Sequence, residues 1–217
     1  MSNGINWYRR AIEKKLIFGQ IFNNAKQAIE KEISNIENWG VVLDIDNTVL
    51  EDSWYMQDNN KWESGIDFTT KIIRERKSIP TCGAKEFIDF VKKNGGKISL
   101  ISNRYGDHED VMKVTALVLD NFDIHFDNII LTNSQIPNHP DKNSRFKSVE
   151  SGIKDSDMYY YDDKLISHKI IAYLGDSIGD FPKLHRNIIP NYENDLFNKL
   201  GKEFFIFPNP LYGGWSS

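Results

Sequence analysis

A chain of 217 residues with 40% hydrophobic and 27% charged residues suits one main domain with a small one appended, and it is apolar enough to build a proper core. Its net charge of −4 argues against gripping a nucleic-acid backbone, which calls for a concentrated basic face. Its one cysteine, Cys82, excludes an intramolecular disulfide and reads as a small residue in a loop or first helical turn.

Residues 6–37 predict a helical segment, with Ile12, Leu16, Ile17, Phe18, Ile21, Phe22, Ala25, Ile29 and Ile33 close to helical spacing. Gly40 breaks that pattern, and Val41-Val42-Leu43-Asp44-Ile45 follows as a short apolar strand of the kind buried on both faces of a parallel sheet. Residues 49–80 are irregular, polar and aromatic, with Trp54, Tyr55 and Trp62. A helix then runs from Gly83 through Ala84, Phe87, Ile88 and Val91, stopped by Asn94-Gly95-Gly96. The strand Lys97–Ser102, a helix over 107–120, the strand Asn128–Thr132, a helix near 143–152 and the strand Lys169–Leu174 complete the series. Strands alternating with helices predict right-handed crossovers and a doubly wound α/β parallel sheet with helices on both faces. Such folds bind ligands beyond the carboxyl ends of the strands, so the residues there carry the functional reading.

Four of those ends bear chemistry: Asp44-Ile45-Asp46-Asn47-Thr48, Ser102-Asn103-Arg104, Lys142 in the loop after the third strand, and Gly175-Asp176-Ser177-Ile178-Gly179-Asp180. Several carboxylates at one sheet edge repel one another and call for a cation; oxygen-only ligation suits Mg²⁺. A carboxylate beside Mg²⁺ and a phosphate is a competent nucleophile. A second acid two residues on can lean over the same site to protonate the leaving oxygen and then activate water. A hydroxyl at Ser102 and an ammonium at Lys142 can hold phosphoryl oxygens. Each signal alone has a bland reading: a strand-end cap, a solvated lysine, a Gly-Asp turn. Four in this order, each behind an apolar strand, point to a functional site.

The same order marks the haloacid dehalogenase (HAD) superfamily, which the chain resembles. More narrowly it is similar to the class C acid phosphatases, the bacterial lipoprotein acid phosphatase and 5′-nucleotidase group. Asn6-Trp7-Tyr8, VVLDIDNTVLEDS, SNR, KNSRF, GDSIGDF and the C-terminal FIFPNPLYGGW carry that likeness. The resemblance implies Asp44 as nucleophile and metal ligand, and Asp46 as general acid/base that binds metal through its backbone carbonyl. It implies Asp176 as a ligand, Asp180 as support of the metal shell, Thr48 as a shaper of the nucleophile loop at the phosphate site, and Ser102, Asn103 and Lys142 at the phosphate. It implies a small, mainly helical subdomain begun by residues 1–39, a core of 40–50 and 81–200, a cap-like insert at 51–80, and a segment 201–217 returning near the site. The expected activity is that of an Mg²⁺-dependent phosphomonoesterase forming phospho-Asp44. The signal peptide and lipid-anchoring cysteine usual in that group are not in this sequence, and the aromatic loop is shorter.

Some alternatives stay open at this stage. Met158–Asp163 also looks like a strand ending in paired acids, so Asp162 and Asp163 compete with Asp176 and Asp180, whose preceding strand is the more apolar. The histidines show no zinc-ligand spacing. Tyr55 and Tyr212 lack a periodic core pattern and are candidates to stack on a nucleobase or aryl group, favouring nucleoside monophosphates or aryl phosphates. The same features fit a phosphotransferase or mutase and, from another class, a receiver-like phospho-acceptor module. No membrane-length apolar run and no signal-peptide core is present, which predicts a cytoplasmic protein for the chain as it stands, and an exported or membrane-anchored one if the chain is trimmed. A homodimer remains open.

Overall fold

The computed structural model describes residues 3–53, 78–136, 141–184, 198–211 and 215. Two helices, α1 (Asn3–Arg10) and α2 (Ile12–Glu32), lead into a six-stranded sheet. The strands are β1 (Trp39–Leu43), β4 (Lys97–Tyr105), β5 (Asn128–Thr132), β6 (Tyr159–Tyr160), β7 (Lys169–Gly175) and β8 (Phe204–Ile206), in spatial order β6-β5-β4-β1-β7-β8. All pairs are parallel except β5 with β6. β2 (Leu50–Glu51) and β3 (Ile79–Pro80) form a separate antiparallel pair. Helices α3 (Ala84–Lys93), α4 (Glu109–Asp120) and α5 (Asn143–Ser151) supply the crossovers.

β1 lies at the centre of the sheet, and all five of its residues are buried. That is why its sequence is a continuous apolar run rather than an alternation. Two apolar clusters, one on Val41 and Leu43 and the other on Val42 and Ile101, flank the sheet. α2 buries Phe18, Phe22, Ala25 and Ile29, spaced one turn apart. Phe18 and Phe22 meet Phe207, just past β8, at ring-centroid distances of 4.9 and 4.8 Å. The helix thereby ties the C-terminal segment to the core. Each such buried ring contributes about 2–3 kcal/mol by area alone.

Three differences from the sequence reading have local causes. The predicted 6–37 helix is two helices and a 3₁₀ turn (Ile33–Asn35), because Ala11 is extended at φ −69°, ψ 128°. No proline or glycine flags that break. β4 runs past Ser102 to Tyr105, with a register shift against β5 between those residues. An irregularity of this kind re-aims side chains at a sheet's functional edge. β8 and the β2–β3 pair are too short to show periodicity, while β6 falls within the Met158–Asp163 stretch that also reads as a strand. The 51–80 insert lies outside the described residues except at its two ends. Among the described residues, no helix is long and apolar enough to cross a membrane.

Candidate active site

Asp44 immediately follows β1, and its backbone N–H donates to Leu174 O of β7 at 2.9 Å. The chain then turns tightly. Ile45 O accepts from the N–H of Val49 (3.0 Å) and Leu50 (2.8 Å), while Asn47 adopts a left-handed φ of 59°. Asparagine tolerates that region better than most residues. The turn holds Asp44 and Asp46 at the carboxyl edge of the sheet. From α1, Tyr8 Oη donates to Asn47 O at 3.4 Å.

Beyond β7, Asp176 and Asp180 meet Asp44; one oxygen from each of the three carboxylates lies within 4.8 Å of the others. They are 7, 5 and 5% exposed for Asp44, Asp176 and Asp180, too little for water to screen their repulsion. Gly175 makes the approach of Asp180 possible, since a Cβ there would overlap the Asp180 carboxylate. Asp180 is held by the Ser177 N–H at 2.8 Å.

Lys142 comes from the residue before α5 and donates to Asp44 Oδ1 (2.5 Å), Asp180 Oδ1 (2.6 Å) and Ile101 O (2.7 Å). Against the pull of burial, Asp180 and Asp44 hold its ammonium above the usual lysine range. One ammonium does not neutralise three buried acids. Burial, only partly offset by Lys142, and the neighbouring Asp180 and Asp46 push Asp44 up to about 7. Burial, then Asp44 and Asp180, drive Asp176 well above the carboxylate range. A buried, all-oxygen, over-negative trio fits a hard divalent cation.

Asp46 lies in a different field. Arg104 Nε (3.1 Å) and Nη2 (2.7 Å) both donate to it, as does Ser102 Oγ at 3.0 Å. Burial works against ionisation, yet the Arg104 charge, a hydrogen bond with Asp52 and the bonds from Arg104 and Ser102 hold Asp46 down to about 2. Arg104 is braced by Thr115 Oγ1 of α4 (2.9 Å) and lies 3.7 Å from Asp52, which accepts from Ser78 Oγ. Arg145 of α5, wholly buried, donates to Ser102 O and to Asn103 Oδ1, each at 2.7 Å.

The structure therefore brings Asp44, Asp46, Ser102, Lys142, Asp176 and Asp180 to one edge. Asn103 sits beside them with its side-chain oxygen turned to Arg145. Thr48 is fully buried in the turn, where its carbonyl accepts from Thr81 Oγ1 at 2.5 Å. Asp162 and Asp163 are exposed beyond β6 and do not join the carboxylate trio. Among the described residues no histidine or cysteine joins it either, and Cys82 is free and exposed. Tyr55 and Tyr212 lie outside the described residues. Sequence reasoning missed the second tier, Arg104, Asp52, Arg145 and Asn209. Each stood within a motif already singled out, but nothing in those strings says that the side chain is buried against a site.

The sheet edge of this α/β fold gathers an acid trio around a buried lysine, and comparison with known proteins supplies the class. The family model for the HAD superfamily, subfamily IIIB (acid phosphatase), matches residues 2–215. The chain belongs to this family, and it is a phosphatase. It is similar in fold to the class C acid phosphatase from Bacillus anthracis, with a TM-score of 0.73 and 22% identity over 98% of this chain and 84% of that one. A second structure of that protein, with tungstate bound, gives a TM-score of 0.70 at 21% identity over the same shares. Family membership along nearly the whole chain sets aside the receiver-module alternative.

Proposed function

We propose that this phosphatase hydrolyses small phosphate monoesters through an aspartyl-phosphate on Asp44, with Mg²⁺ as its metal. The observation that carries the reading is the buried trio Asp44, Asp176 and Asp180, with ligand oxygens within 4.8 Å, bridged by Lys142 and short of positive charge. Asp44, Asp176 and Asp180, with the Asp46 carbonyl, would hold the ion. When bound, it would neutralise the trio and polarise the phosphoryl group.

Asp46, ionised at rest, first takes a proton from the entering phosphate monoanion or from solvent; an Asp44 carboxylate oxygen then attacks phosphorus as the bond to the leaving oxygen breaks, and Asp46 passes that proton to the leaving oxygen. Water then attacks the phosphorus of phospho-Asp44, Asp46 takes its proton, and inorganic phosphate and Asp44 are regenerated. Lys142 and Ser102 hold the phosphoryl oxygens. The Ser102 hydroxyl has a second consequence. At rest it donates to Asp46 at 3.0 Å. Turning it to a phosphoryl oxygen removes a donor from the Asp46 carboxylate, which raises that group's proton affinity when an acid is needed. Nucleoside 5′-monophosphates and aryl phosphates are the proposed substrate class, on the strength of Tyr55 and Tyr212 as stacking candidates.

A screen of nucleotides, sugar phosphates and aryl phosphates, with Mg²⁺ and after exhaustive chelation, tests the reading. Metal-dependent turnover and a phosphoryl-protein mapped to Asp44 are expected. Full activity in chelator, or phosphorylation at another residue, overturns it.

A further inference from the structure

The C-terminal segment reaches the carboxylate trio in a way the proposed chemistry does not use. β8 lies alongside β7, and Phe207 N–H donates to Gly175 O at 2.9 Å, which carries the chain past Asp176. Asn209 follows, only 1% exposed. Its Oδ1 accepts from the Leu211 N–H at 3.0 Å, closing a local Asx turn, and its Nδ2 donates to Asp176 Oδ2. The two contacts orient the amide, because an N–H can meet only the oxygen end and a carboxylate only the NH₂ end. Trp215 Nε1 donates to the backbone O of Asp176 at 2.6 Å. One short segment thus holds Asp176 by both its carboxylate and its main chain.

We infer that Asn209 is the positioning residue that presents Asp176 to the divalent cation, with Trp215 anchoring the same residue from its carbonyl. The inference rests on the metal reading above. The chemistry fits the role. A neutral amide on one carboxylate oxygen leaves the other free to ligate and fixes its direction. It also offsets part of the repulsion from Asp44 and Asp180 without bringing a positive charge that would compete with the ion. Among the described residues, no lysine or arginine makes an ion pair with Asp176, whereas Asp44 and Asp180 share Lys142. Asp176 therefore depends on this amide for its orientation.

Asn209→Ser separates the role from simple folding. A serine oxygen can still accept from the Leu211 N–H but is too short to reach Asp176. Mg²⁺ affinity is measured by calorimetry on the full chain, alongside Tm in chelator. The variant should keep a Tm near the wild type and lose about 10- to 100-fold in Mg²⁺ affinity. Phe207→Leu, which loosens the same segment without touching Asp176, should lower Tm and keep the wild-type Kd. A wild-type Kd in Asn209→Ser overturns the inference, as does an equal loss of affinity in Phe207→Leu. If Asn209→Ser does not fold, Trp215→Phe takes its place with a several-fold rise in Kd expected and the same overturning result. Wild-type protein with no measurable Mg²⁺ binding overturns the metal reading first, and this inference with it.

Discussion

Asp44 and Asp46 leave the same strand two residues apart, and their surroundings push them in opposite directions. Asp44 faces Asp176 and Asp180 across one shared lysine and is pushed up to about 7. Asp46 is gripped by the Arg104 fork, a hydrogen bond with Asp52 and the Ser102 hydroxyl, and is held down to about 2. The cations differ in kind as well as in number. Lys142 is a point charge divided between Asp44 and Asp180, while Arg104 offers planar donors that match one carboxylate. Pairs of acids driven apart by environment are how one site supplies two roles. Here the raised acid is the one short of positive charge, hence the one a divalent cation would relieve. The depressed acid already has its partner, and in the mechanism proposed above it is the acid held in place for proton transfer.

The largest expected effects fall on the Asp44 side. Asp44→Asn should lose at least about a thousand-fold in turnover, because the near-isosteric amide is no useful nucleophile. Retention of more than about a tenth of wild-type activity would remove Asp44 from the chemistry. Exhaustive chelation should likewise abolish turnover and added Mg²⁺ restore it. Asp176→Asn should weaken Mg²⁺ binding by far more than Asp163→Asn, since Asp163 is exposed and apart from the trio. The reverse ranking in a calorimetric titration would move the metal site.

On the Asp46 side the effect is smaller and more selective. Arg104→Lys keeps the charge but loses the fork, so Asp46 is no longer aimed. We expect about a 10- to 100-fold fall in kcat on alkyl phosphates, whose leaving oxygen needs a proton, within the range of general acid catalysis. 4-Nitrophenyl phosphate, with its good leaving group, should suffer less in the first step, and phosphoenzyme should accumulate as the second step slows. An equal loss on both substrates with no accumulation would make Arg104 a packing residue.

How much of this was legible from the sequence differs along the same line. The apolar runs behind Asp44, Ser102 and Asp176 announced buried parallel strands, because a strand covered on both faces has no polar position to spare. That reading also ranked Asp176 and Asp180 above Asp162 and Asp163; the first pair is buried and the second exposed. The partners of Asp46 were not legible. Arg104 contacts Asp46 across 58 positions of sequence and Thr115 across 11, and it does so at the β4 register shift. Pattern cannot foresee such pairing, because an arginine string reads the same whether solvated or buried. The break at Ala11 was hidden too, because no helix-breaking residue marks it; α1, before the break, meets the turn after Asp44 through Tyr8.

The smallest effect is the sharpest test of the contrast, because the two asparagine variants should move stability in opposite senses. An unfolded aspartate titrates near 3.9. In metal-free protein Asp44 titrates at about 7, so between about pH 4 and 7 the folded state holds a proton that the unfolded state has released. Stability therefore falls as pH rises through that window, and the whole penalty is present at pH 8. Asp44→Asn removes it, so in chelator at pH 8 the variant should be more stable than the wild type, by at most a few kcal/mol, with the gain shrinking toward pH 4. Asp46, at about 2, shows the opposite linkage. Its ionised form contributes about 2–3 kcal/mol above pH 4, lost only as pH falls through the folded value. Asp46→Asn should therefore be less stable at pH 8 and equally so at pH 5, a fall in Tm of about 4–10 °C. Lys142 keeps Asp180 as a charged partner in the first variant, whereas in the second Arg104 keeps its hydrogen bond to Thr115 but only the longer charged contact to Asp52, which reinforces the difference in sign. Thermal melts of both variants in EDTA at pH 5 and pH 8 decide it. Shifts of the same sign at pH 8 would mean that the two aspartates share one electrostatic environment, and the division of labour drawn from their surroundings would fall.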